Sequence, residues 1–149
     1  MNYLITGKSM KTKMLILLLS CLFFSCVREL VETKTLVIES SLDNMVSVEF
    51  YSDGLPSGPK KLTINGKGKL YEHTEMVRGG VTMYDLLQVD SILLIFDNQK
   101  IEPHSLINNS PIGNSLFESD SYKKNGNIIT YTIDLDNFSN ATPCDGVCK

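Results

Sequence analysis

The feature that most limits this chain is an alternation of apolar and polar residues with a period of two, cut into short pieces by turn-forming residues. Successive side chains of a strand point to opposite faces, so period two marks strands with one buried face; a helix repeats every 3.6 residues instead. In Met45–Tyr51, Val46, Val48 and Phe50 take one side, with Ser47 and Glu49 on the other. Lys61–Asn65 places Leu62 and Ile64 together, and in Asn127–Asp134 Ile129, Tyr131 and Ile133 alternate with Thr130 and Thr132. Thr35–Ser40, Lys69–His73 and Lys100–His104 read as further strands. In Asp90–Asp97, Ile92, Leu94 and Phe96 face one way and Leu93 and Ile95 the other. An unbroken apolar run of that kind needs cover on both faces, which predicts a central strand.

The breaks set the connections. Asn65-Gly66 predicts a two-residue hairpin whose returning strand is Lys69–His73, because both positions tolerate positive φ. Asp97-Asn98-Gln99-Lys100 is a turn, and Lys123-Lys124-Asn125-Gly126 is a second hairpin signal. Asp53-Gly54, Pro56-Ser57-Gly58-Pro59 and Arg78-Gly79-Gly80 interrupt the chain. Val81–Gln88 fits either one helical turn or an edge strand. Ser105–Asp120 reads as a long loop, and the tail from Asp136 as polar and turn-rich. About seven short strands with turns every ~8–12 residues predict an all-β domain over 35–149, a single small β-sandwich or Greek-key-like barrel. No repeat of fixed period and no long amphipathic helix is visible.

With 149 residues, 42% hydrophobic and 21% charged, the chain has the size and composition of one folded domain. Its net charge is −3 at pH 7. Every acidic residue lies after residue 26, whereas Lys8, Lys11 and Lys13 lie before it. A chain cut there is more acidic still. It has no cluster of Lys or Arg, so nothing in its charge draws it to nucleic acid or to an anionic bilayer.

Met14–Phe24 is apolar throughout except for Ser20. That run is shorter than the ~20 residues needed to span a bilayer, and it suits a signal-peptide core of about 7–15 residues. Lys11 and Lys13 provide the positive flank and Ser25 the small residue before the cut. Ser25 is followed by Cys26, and Phe23-Phe24-Ser25-Cys26 resembles the bacterial lipoprotein signal, or lipobox. In that family the cysteine receives a diacylglyceryl group and becomes the mature N-terminus. The commonest form has Leu first, as in Leu18-Leu19-Ser20-Cys21, but cutting before Cys21 leaves too short a core. The expected organisation is a signal helix over 1–25, with Met10 an alternative start, and a lipid-anchored tether over 26–34. The membrane is a partner through lipid on Cys26. Val27 stands where the best-studied lipoproteins carry the Asp that retains them in the inner membrane, which points to the outer membrane.

The strands, the Asn65-Gly66 turn, Asp90-Ser91-Ile92-Leu93-Leu94-Ile95-Phe96-Asp97, Ile128-Ile129-Thr130-Tyr131-Thr132-Ile133-Asp134 and Asn137-Phe138-Ser139-Asn140-Ala141 together resemble small flavobacterial envelope lipoproteins. The resemblance implies a β-rich fold and an envelope location. It carries no activity, and transfers no functional residue except the lipidated cysteine.

Chemistry-bearing residues are sparse. Cys144 and Cys148 have three residues between them, one more than a C-x-x-C redox motif. In an oxidising compartment they are expected to form a small disulfide loop, with free thiols or a metal site as alternatives. His73 and His104 have no Cys or carboxylate at ligand spacing and read as ordinary, partly exposed strand residues. No nucleophile elbow or phosphate loop is present. Asp134-Leu135-Asp136-Asn137 resembles the start of a calcium loop but lacks its glycine and closing Glu; it reads as a turn with capping side chains. Asp90-Ser91-Ile92 resembles a bacterial O-glycosylation site, and Asn137-Phe138-Ser139 and Asn140-Ala141-Thr142 fit the N-glycosylation pattern. No catalytic residue, cofactor or metal is expected. The expected role is a lipid-anchored envelope protein, a non-catalytic binding or structural module for an envelope protein or glycan. The alternatives are a small periplasmic enzyme or enzyme inhibitor, and an accessory subunit of a surface uptake complex. The enzyme reading requires His73, His104 and two carboxylates to converge.

Overall fold

Apolar residues alternating on short strands have to be buried in pairs of sheets, and two sheets form. A computed structural model describes residues 31–53, 55–56, 61–78, 82–106 and 114–148. The signal and lipobox segments, Cys21 and Cys26 among them, lie outside the described residues, as do Gly54, Gly79-Gly80 and residues 107–113. Among the described residues are ten strands: β1 (Val31–Ser40), β2 (Met45–Ser52), β3 (Leu55–Pro56), β4 (Leu62–Asn65), β5 (Gly68–Arg78), β6 (Ser91–Phe96), β7 (Lys100–Ser105), β8 (Lys123–Asn125), β9 (Ile128–Ile133) and β10 (Thr142–Pro143). Two short α-helices, α1 (Met83–Leu87) and α2 (Leu135–Asn140), and a 3-10 turn over Ser119–Ser121 complete it. One sheet runs β5-β1-β9-β8. The other runs β10-β7-β6-β2-β3, with β4 also on β2. No barrel closes among the described residues, and the fold is a sandwich-like all-β domain.

The core lies between the sheets. Leu36 and Ile38 of β1 and Ile129, Tyr131 and Ile133 of β9 meet Val46, Val48 and Phe50 of β2 and Ile92, Leu94 and Phe96 of β6. These are the alternating residues, so the period of two sorts them to one face. β6 lies between β2 and β7, and Ile95, on its other face, is fully buried too. Burying one such side chain contributes about 1.5–3 kcal/mol.

β1 reaches back through Val31–Lys34, which pair with Glu75–Arg78 of β5 and extend the sheet. Two expectations are corrected. The Asn65-Gly66 turn does not close a hairpin. β4 pairs with β2 and β5 with β1, so the turn carries the chain from one sheet to the other. Gly66 has φ of 91°, while Asn65 is not at positive φ, and the Gly66 N–H donates to the Asn44 carbonyl at 3.1 Å. The true mirror-image turn is at Asp97-Asn98, both at positive φ, closed by Gln99 N–H donating to the Phe96 carbonyl at 2.9 Å. The tail from Asp136 holds α2 and β10 rather than turns alone. Asp134 caps α2 and accepts from the N–H groups of Asp136 and Asn137, while the Asn137 side chain accepts from the Asp134 N–H. This reciprocal box satisfies donors that a helix start leaves free.

Of the two alternatives for Val81–Gln88, the described residues 82–88 form a helical turn, α1. Thr82 and Asp85 form a capping box at its start, and Gln88 ends it at φ of 53°.

Candidate functional site

The one concentration of buried polar side chains among the described residues surrounds Glu102 and His104 of β7, with Tyr131 of β9 and Asn137 of α2. Residues two apart in a strand share a face, so Glu102 and His104 both point inward, toward Tyr131. Asn137 sits on the first turn of α2, which its own capping box holds in place.

Asn137 is the hub. Its Nδ2 donates to Glu102 Oε2 at 2.9 Å and to the Tyr131 hydroxyl at 2.8 Å. Its Oδ1 accepts from the Asp134 N–H at 3.0 Å and from Asn114 Nδ2 at 3.2 Å. The Tyr131 hydroxyl donates in turn to the Asn114 carbonyl at 2.9 Å. His104 Nδ1 accepts from the Leu116 N–H at 3.2 Å. A ring nitrogen that accepts carries no proton, so the ring proton of His104 sits on Nε2. Nε2 lies 3.2 Å from Glu102 Oε2 but off the line of a good hydrogen bond, and Glu102 Oε1 has no partner among the described residues. The Tyr122 hydroxyl donates to the Leu116 carbonyl. Together these bonds fasten α2 and the 114–117 segment to both sheets.

Burial pushes the Tyr122 and Tyr131 phenols well above the usual tyrosine range, with the nearby Glu102 and Asp134 charges adding to the effect at Tyr131. In the unfolded chain both ionise near pH ~10. The folded state therefore holds their protons more tightly, and the stability this contributes is complete below pH ~10 and is lost as pH rises beyond it. Chemical denaturation at stepped pH should show stability falling above pH ~10 by up to about 1.4 kcal/mol per pH unit for each buried tyrosine. Tyr122→Phe should flatten that fall; an unchanged slope would contradict the assignment.

The chemistry-bearing residues are dispersed among the described residues. His104 is fully buried rather than partly exposed. His73 is partly exposed on β5, its Nε2 3.1 Å from Glu75 Oε2 and its ring stacked with Tyr71. Each histidine thus has a glutamate two residues away, a pairing that helix or loop ligand spacings overlook. The two pairs sit on different sheets and do not come together. Cys144 and Cys148 form a disulfide with Cα atoms 5.5 Å apart. Their N–H groups donate to the Gln99 and Asn98 carbonyls, tying the tail to the β6–β7 turn. The Asp134–Asn137 segment is a helix cap. Ser91 is half-buried and its hydroxyl donates to Asp90. The Asn137 side chain is enclosed, which leaves no room for a glycan there.

Among the described residues no three His, Cys, Asp or Glu side chains form a metal-ligand group. No Ser, Thr or Cys side chain hydrogen-bonds to His104 among them either. Glu102, His104, Tyr131 and Asn137 are each at most 1% exposed. The cluster's hydrogen bonds join elements of the fold. No protein-family model, no curated protein and no solved structure matches this chain.

Proposed function

We propose that this chain is a bacterial envelope lipoprotein, held by lipid on Cys26 and serving as a non-catalytic module that binds another envelope protein or a glycan, or fills a structural role. The observation that carries the non-catalytic part is the closure of the polar cluster. Glu102, His104 and Asn137 are all but inaccessible, and their hydrogen bonds run to the fold itself. A catalytic pair needs a cleft that admits substrate. The second histidine, His73, is on the other sheet and cannot complete a constellation with His104. The anchor rests on the short apolar run, its basic flank and the Ser25-Cys26 junction.

The test is cross-linking of the full-length protein in intact cells, followed by recovery from the envelope fraction. A specific envelope protein or glycan fragment, recovered equally with wild type and His104→Gln, is the expected result. Hydrolysis of an envelope substrate that His104→Gln abolishes without unfolding the domain would overturn the proposal in favour of an enzyme.

A further inference from the structure

We propose that the outer face of the β5-β1-β9-β8 sheet, at the end where β1 begins, rests on the lipid headgroups of the membrane that holds Cys26. This rests on the anchor reading above. Directly opposed residues of a sheet share a face, as do residues two apart in a strand. Val31 pairs with Arg78, Thr33 with Met76 and Thr35 with Thr74, while Thr35 also pairs with Ile128 of β9. All seven therefore lie on one face. Leu36 and Ile38, of the opposite parity, are in the core, so this is the outer face.

Three large apolar side chains stand out from it: Val31 at 52% exposure, Met76 at 73% and Ile128 at 45%. The threonines between them are partly paired, Thr35 and Thr74 sharing a hydrogen bond of 3.0 Å between their hydroxyls. The one charge in the group is Arg78. The first carboxylate on this face is Glu72, farther along β5 opposite Val37. An acid-free apolar patch with a single guanidinium, on an otherwise acidic chain, suits phosphate headgroups over a thin apolar layer.

Chain length names the occupant. Val31 is five residues from Cys26, which limits their separation to about 17 Å even if fully extended. The row of Thr35 and Ile128 lies about 13 Å farther along β1. The patch is therefore the part of the domain that the lipid holds closest to the bilayer. Tethering makes that contact intramolecular, so a few exposed side chains suffice where they would not hold a free protein. The far end of β9, with α2, then faces away from the membrane.

The test uses the full lipidated chain in phosphatidylethanolamine–phosphatidylglycerol vesicles that carry a nitroxide on the headgroup. One sample has a fluorophore on Met76→Cys; another has it on Ser139→Cys, at the exposed side of α2. Position 76 should be quenched roughly two-fold more than position 139, and Val31→Glu should abolish the difference. Equal quenching at the two positions in protein that still floats with the vesicles overturns the docking and leaves the anchor standing. Self-quenching at position 76 without nitroxide lipid overturns it in favour of a second copy of the chain. Protein recovered from cells with no lipid on Cys26 removes the anchor and the docking with it.

Discussion

Asn137→Asp is expected to destabilise the domain by about 3–5 kcal/mol although it scarcely changes the shape of the side chain. The substitution replaces Nδ2, the donor to both Glu102 and Tyr131, with an oxygen. Two acceptors lose their donor at once. A second carboxyl group then stands against that of Glu102 in a buried site, where two such groups cannot both be charged. Packing loss cannot account for the effect, as it could for Asn137→Ala. Urea unfolding should show a lower midpoint with an unchanged slope. Adding Glu102→Gln, which removes one carboxyl group and returns a donor, should recover about 1–2 kcal/mol in a double-mutant cycle. A cost below about 1 kcal/mol for Asn137→Asp would mean that this cluster is not what holds α2 and the 114–117 segment to the sheets.

Cys26→Ala is expected to abolish lipid attachment altogether and leave an unprocessed precursor. Cys21→Ala should leave attachment and cleavage intact. The apolar run before Ser25 is too short to remain as a spanning helix and too apolar to lie exposed in water. Removing it would resolve both, and the small Ser25 would admit a peptidase to the bond before Cys26. Metabolic labelling with a fatty-acid analogue, read by gel mobility and by mass, checks both variants. Label lost with Cys21→Ala and kept with Cys26→Ala would move the anchor by five residues. Label kept in both would end the lipoprotein reading. The disulfide-bonded pair Cys144–Cys148 offers no competing thiol.

The sequence by itself determined the longer strands and, except on β7, which of their faces is buried. Val46, Val48 and Phe50, Ile92, Leu94 and Phe96, and Ile129, Tyr131 and Ile133 are core because a strand cannot alternate in any other way. It also determined the central place of β6, since a strand apolar on both faces can be covered on both only inside a sheet stack. Which strand pairs with which was decided in three dimensions. Asn65-Gly66 has the chemistry of a hairpin, but β4 pairs with β2 and β5 with β1, and local turn preference yields to the ladder of ten residue pairs that β5 makes with β1. The parallel pairing of β1 with β9 joins residues about ninety apart, and no local signal can carry that.

The polar cluster was hidden for a sharper reason. On β7 the apolar residues Ile101 and Pro103 point outward or half outward, while Glu102 and His104 point in. This inverts the rule by which a strand is read, because the groups that satisfy Glu102 and His104 come from elsewhere: Asn137 on α2 and the backbone of Leu116. A polar residue is admitted to the core only when its hydrogen-bond partners arrive from other segments. That condition is a property of the assembled fold, and no stretch of the chain states it alone.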